Sequence, residues 1–170
     1  MSTFNTSRKL RKKFIALLSS LSLEELNYVP EGFNNNIIWN FGHCIVTHQQ
    51  LCYSLSGVTP PIDAKWINLF KKGTAPHRDF TQEEVDELKV LALQLLEKLD
   101  ADKVEGIFKK YNKYVSALGV TITNISEAIV FNNVHEGVHI GYAMSMKHVI
   151  EYQKRQWQAE EQTRQMAIAQ

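Results

Sequence analysis

Turn formers, charge of one sign, long apolar runs and cysteine are all scarce in this chain, and each shortage narrows what it can be. Glycine (8) and proline (4) make up about 7% of the 170 residues against roughly 12% in average usage, so the chain is built of few, long elements. Lysine and arginine (19) nearly balance aspartate and glutamate (18), which argues against a dedicated nucleic-acid binder and implies no strongly basic or acidic partner. The apolar run after the N-terminal basic stretch spans only Phe14 to Leu18. A signal peptide needs about 7 to 15 apolar residues and a membrane span about 20, so neither is expected, no membrane partner is implied, and the cytoplasm is the expected compartment. Cys44 and Cys52 would lie roughly 12 Å apart along a shared helix, too far for a disulfide, and are read as free thiols.

What is present is 44% hydrophobic and 22% charged residues, enough for one core in a chain too short for two comfortable domains. In a first helix Leu10, Phe14, Leu17, Leu18 and Leu21 share one side, while Arg8, Lys9, Arg11 and Lys12 read as a solvated outer face. Ser22 with Glu25 predicts a capping box, and Pro30, Gly32 and Asn34 to Asn36 a break. A buried second helix runs from Ile37 to Leu55 and stops at Gly57, ahead of Pro60 and Pro61. Residues 57–80 form a long connection with one helical turn around Trp66 to Phe70, of the kind that often walls a site. Thr81 with Glu84 caps a third helix carrying the stripe Val85, Leu88, Leu91, Ala92, Leu95, Leu96 and Leu99. No element is predicted for 100–123 beyond room for a short extended stretch, and Asn124 with Glu127 caps a fourth helix from about Ile125 past Tyr152. The expectation is an all-α fold, a four-helix bundle with long crossover loops, over residues 1–152. A polar, glutamine-rich segment at 153–170 either extends the last helix or frays.

The chemistry concentrates in the stretch from Asn132 to Tyr142. His135 and His139 fall one helical turn apart on the buried side, where two imidazoles can converge on a single ion. A hydrogen-bonded pair of core histidines is the competing account, but two at this spacing beside Asn132 and Glu136 favour a metal. His135-Glu136-x-x-His139 also matches a zinc-protease signature. One protease subgroup would then need Gly at 142 and His at 145, where the chain has Tyr142 and Ser145, and no strand-rich half precedes the motif.

A third ligand must come from the second helix, which offers His43 and His48. Periodicity alone selects His48, in the most apolar stripe; His43 lies with Trp39, Val46, Thr47 and Gln50 on a semi-polar face that also suits a metal-lined cavity, so the helical wheel leaves both open. Glu136 is expected as a general base, as a carboxylate orienting a ligand histidine, or in an interhelical salt bridge, and Asn132 as a partner near the ligands. Trp39, Trp66, Phe70 and Tyr142 are read either as pocket walls or as plain core.

Trp39-Asn40-Phe41-Gly42-His43, followed about 90 residues later by His135-x-x-x-His139-x-Gly141, resembles the DinB-like superfamily of metal-binding four-helix bundles, over about residues 5–152. The resemblance implies His43, His135 and His139 as metal ligands and gives His48 no role; where many members carry Gln after the H-x-Gly, this chain has Tyr142. It further implies a divalent metal ion as cofactor, with zinc, nickel or iron all suited to three imidazoles. Three neutral ligands leave the ion its full charge and an open position, which can activate water or hold a thiol as thiolate.

Relatives include transferases that add a low-molecular-weight thiol such as bacillithiol or mycothiol to electrophiles, and hydrolases. The expectation is therefore a metal-dependent enzyme that transfers such a thiol to a small-molecule electrophile, or a related hydrolase, with Glu136 as the candidate catalytic group. The alternative is a non-catalytic bundle with structural histidines acting as a dimeric interaction protein. Val130, Val134 and Val138 form a second apolar stripe on the last helix, read either as a homodimer surface or as a face covered by the first helix or the tail.

Overall fold

Four long helices carry the chain in a computed structural model that describes residues 3–168. They are α1 (Thr3–Leu18), α3 (Ile37–Cys52), α5 (Gln82–Glu105) and α6 (Ile125–Ile168), with two short helices, α2 (Leu23–Asn27) and α4 (Ala64–Phe70), in the connections. The starts of α2, α3, α5 and α6 are each fixed by a local hydrogen bond that the sequence encodes. Ser22 with Glu25 and Thr81 with Glu84 form reciprocal capping boxes, Asn36 accepts from the Trp39 N–H at 2.8 Å, and Asn124 accepts from the Glu127 N–H at 3.0 Å. Gly57 and Gly106 adopt the left-handed conformation that ends the elements before them.

Segment 100–123, for which the sequence predicts only a short extended stretch, completes α5 and then forms a hairpin of β1 (Tyr114–Val115) and β2 (Thr121–Ile122). Gly119 turns it at positive φ, and Ile122 is buried beside Ala128 and Ile129. The tail resolves toward the helical alternative: α6 continues unbroken to Ile168, tied to the bundle by Lys154 on Glu25 at 2.9 Å. No helix among the described residues is long and apolar enough to cross a membrane. Both cysteines are buried and free.

Helix α3 is the central element, buried at every position except Thr47 and Gln50. It runs antiparallel to α6, since Asn40 meets His139 while His43 meets His135. Helix α1 runs parallel to α6, with Ser7 on Asn133, Arg11 on Glu136 and Ser20 on Lys147.

One expectation fails here. Arg11, read as part of the solvated basic face, is 1% exposed and lies at the centre of the bundle. The fully buried stripe of α1 is Phe4, Ser7, Arg11, Phe14 and Leu18, a 3-4-3-4 spacing in which a serine and an arginine hide the periodicity from a hydrophobicity reading. Leu10, Leu17 and Leu21 are half-buried flanks. Ser7, Arg11, His48, Asn132 and Glu136 thereby make a polar layer, with the Phe14–Phe41 part of the core on one side and the Phe4–Leu51–Ala128 part on the other.

Candidate metal centre

Helix α3 delivers His43, and two successive turns of α6 deliver His135 and His139. The ring centroids are 5.3 Å (His43–His135), 4.9 Å (His43–His139) and 4.5 Å (His135–His139) apart. One ligating nitrogen from each ring lies within 4.8 Å of the others. His43 is 7% exposed and the other two are half-buried, so the cluster sits at the edge of the core with one side accessible.

The orientation of two rings follows from their outer nitrogens. His43 Nδ1 is 2.7 Å from the Phe70 carbonyl, which can only accept, so Nδ1 carries the proton and Nε2 is left as an acceptor, met by the Thr47 hydroxyl at 3.2 Å. His139 Nδ1 is 2.8 Å from Asn40 Oδ1. The Asn40 amide is held by donation from Nδ2 to the Asn36 carbonyl at 2.8 Å, which leaves its oxygen for His139 and the His139 Nε2 free. A protonated outer nitrogen tied to a fixed acceptor is the arrangement in which histidines ligate metals. Asn40 and the Phe70 carbonyl were assigned no role from sequence. The signal for Asn40 was its spacing, one turn before His43 on the same helix; the Phe70 carbonyl belongs to another helix and had none.

Packing holds His43 as firmly as its hydrogen bond does. The Trp39 indole stacks on it at 4.7 Å and 10°, and Trp39 Nε1 donates to Thr74 Oγ1 at 3.0 Å, tying the loop after α4 to the site. Gly42 lets α4 approach: a Cβ at that position would lie 2.6 Å from the Phe70 ring. Of the aromatics weighed as pocket walls, Trp39 is the one on a site ring. Trp66 and Phe70 stack in the core with Phe80, and Tyr142 packs edge-on against Phe33.

Burial lowers the proton affinity of all three rings, assisted at His135 and His139 by repulsion from the neighbouring imidazoles; His135 falls to about 4 and His139 to about 3. All three are therefore neutral at pH 7 and present lone pairs. The group contains no carboxylate, so an ion there keeps its charge for an external ligand. Neutral imidazoles, two of them with fixed outer partners, and one accessible side fit a divalent metal; His135 Nδ1 is buried with no hydrogen-bonding partner among the described residues.

His48, the choice of periodicity alone, stays outside the triad. It is 1% exposed, its Nε2 has no hydrogen-bonding partner among the described residues, and burial chiefly, with the Arg11 guanidinium, lowers its pKa to about 4. Because α3 is surrounded, its most apolar stripe marks the core and not the site. His77 and His148 are exposed.

Of the three arrangements expected for Glu136, the structure shows the interhelical salt bridge. Arg11 donates from Nη2 to Oε1 at 2.5 Å and from Nε to Oε2 at 2.8 Å, and Asn132 Nδ2 donates to Oε1 at 2.7 Å, so both carboxylate oxygens are engaged away from the histidines. Arg11 also reaches the carbonyls of Cys44 at 3.2 Å and Ala92 at 3.4 Å, so one guanidinium joins α1 to α3, α5 and α6.

Comparison with known proteins places this architecture. The family described as the DinB superfamily matches residues 7–143. Among solved structures the chain is similar to one described as "the conserved protein of locus from Enterococcus faecalis", with a TM-score of 0.61 at 14% identity, covering 87% of this chain and 94% of that one. No curated protein matches the chain.

Proposed function

The chain belongs to the DinB superfamily, and from that premise we propose that it is a metal-dependent enzyme in which His43, His135 and His139 hold a divalent ion, zinc, nickel or iron. Its reaction is the transfer of a low-molecular-weight thiol to a small-molecule electrophile, with hydrolysis as the related chemistry. The observation that carries the reading is the pair of outer hydrogen bonds, His43 to the Phe70 carbonyl and His139 to Asn40, which leave both Nε2 atoms as acceptors in a cluster whose ligating nitrogens lie within 4.8 Å of one another. When bound, such an ion supplies positive charge at an open position, stabilising a thiolate or activating water at neutral pH.

The chain's own contribution is positional. Asn40 and the Phe70 carbonyl hold the tautomers, Trp39 fixes the plane of His43, and the half-buried rings of α6 leave one side open to reactants. Glu136 serves by anchoring α6 to Arg11, one residue from His135. Structural histidines, the alternative, would bond to core groups and to one another; here three rings meet, the His139 Nε2 is left bare and the His43 Nε2 meets only the Thr47 hydroxyl. The test is metal content by plasma mass spectrometry on untagged protein, beside His43→Ala, His139→Ala and His48→Ala variants. Near-stoichiometric metal, lost with His43 and His139 and kept with His48, supports the centre and justifies a thiol-plus-electrophile screen with hydrolase substrates alongside. A folded wild type that takes up none of zinc, nickel and ferrous iron refutes it, and a loaded protein inert across that screen refutes the enzymatic assignment.

We also propose a homodimer. Val130, Val134 and Val138 are 56%, 54% and 60% exposed, so neither α1 nor the tail covers them, and the stripe continues into an apolar groove of about 430 Å³ walled by Leu118 and Val120 of the hairpin. A row of valines one turn apart on a helix can pair with its own copy about a two-fold axis. Size-exclusion chromatography with light scattering checks this, and a monomer at working concentration refutes it.

A further inference from the structure

Thr47 stands one turn after His43 on α3, at one of the two positions where that helix is not fully buried. Its Oγ1 is 3.2 Å from His43 Nε2. Because Nδ1 carries the ring proton toward Phe70, Nε2 can only accept, and the Thr47 hydroxyl is the donor. That lone pair is also the one through which His43 would ligate an ion. We propose that Thr47 is an internal competitor for the ligating nitrogen of His43, a residue that sets how tightly the centre holds its metal. The inference rests on the metal-centre reading above and adds to it a determinant of affinity.

Three observations carry it. His43 does not need Thr47 for its orientation, since the Phe70 carbonyl and the stacked Trp39 already fix the ring; removing the hydroxyl therefore costs little preorganisation. The competition is confined to one ring, because His139 bonds through Nδ1 to Asn40 and, among the described residues, no hydroxyl meets the Nε2 of His135 or His139. Thr47 also has somewhere to go: a helical threonine can rotate about χ1 and donate to the carbonyl four residues back, here that of His43 itself. Release of Nε2 thus exchanges one hydrogen bond for another, and the competition weakens binding without preventing it.

A net protein hydrogen bond translates into roughly a 2- to 10-fold change in an equilibrium constant. Zinc and nickel affinities of wild type, Thr47→Val and Thr47→Ser, measured at pH 7 by competition with a chromophoric chelator, test the proposal. Thr47→Val is expected to bind both metals about 2- to 10-fold more tightly, and Thr47→Ser to match wild type. In the metal-free protein, the nitrogen NMR resonance of His43 Nε2 should move toward that of a free acceptor in Thr47→Val and stay in place in Thr47→Ser. Thr47→Ala, which brings no second methyl against the ring, should shift in the same direction as Thr47→Val and stands in should the valine variant unfold. Equal or weaker binding by the folded valine and alanine variants, with the wild type binding normally, overturns the role of Thr47 and leaves the centre intact. A wild type that binds no metal overturns the centre and this role together.

Discussion

Replacing Arg11 by methionine should cost the bundle about 4 kcal/mol at pH 7, and removing the charge it strands should return part of that cost. The guanidinium is 1% exposed and makes two charge-assisted bonds to Glu136, itself 1% exposed, so methionine fills the stem volume and leaves a carboxyl in the core without its counter-charge. Each such bond contributes roughly 1.5–3 kcal/mol, and removing one partner of a buried pair typically costs 3–5 kcal/mol. Urea unfolding of wild type, Arg11→Met and Arg11→Met/Glu136→Gln at pH 7 reads this directly. The double variant keeps an acceptor for Asn132 without the stranded charge and should regain a large part of the loss. A loss under 1 kcal/mol in Arg11→Met, or a double variant no more stable than Arg11→Met, refutes the reasoning.

Asn40→Leu removes the acceptor for His139 Nδ1–H and should weaken metal binding 10- to 100-fold, as measured by chelator competition; unchanged affinity would show that the tautomer is set elsewhere. In metal-free protein, burial foremost, then Arg11, keeps His48 neutral down to about pH 4, whereas the unfolded chain protonates it near 6.5. Its folded value is depressed, so stability is fully present above about pH 6.5 and falls with pH through that window by up to about 1.4 kcal/mol per unit. His48→Leu should lower that slope by about one proton in urea titrations, and an identical slope rejects the neutral buried ring. Gly42→Ala drives a methyl to 2.6 Å from the Phe70 ring. A loss of about 1–3 kcal/mol is expected, together with weaker metal binding as α4 and its carbonyl shift from His43; thermal melts and metal titration on one sample check both, and a neutral substitution would disprove the close contact.

The amino-acid sequence by itself determined where α2, α3, α5 and α6 begin, because capping boxes at Ser22 and Thr81 and the asparagine caps at 36 and 124 act within four residues; the ends were less local, since α3 stops at Cys52, short of the expected Leu55, and a 3₁₀ turn carries the chain on to Gly57. It also determined that His135 and His139 stand together, since one helical turn is a local distance. The hairpin at 114–122 was hard to read because two-residue strands carry no periodicity and depend on Ile122 finding the core. For the histidine of α3 the helical wheel left two candidates and the resemblance named His43; only the tertiary structure supplies the physical reason, since that helix is enclosed by its neighbours, its apolar stripe marks core and not site, and the Phe70 carbonyl that α4 brings across Gly42 orients His43. The fate of Arg11 was decided in the same way, as its partners on α3, α5 and α6 are 33, 81 and 125 residues away. A charged residue in a sequence reads as surface until the fold supplies a carboxylate and two carbonyls to replace its water.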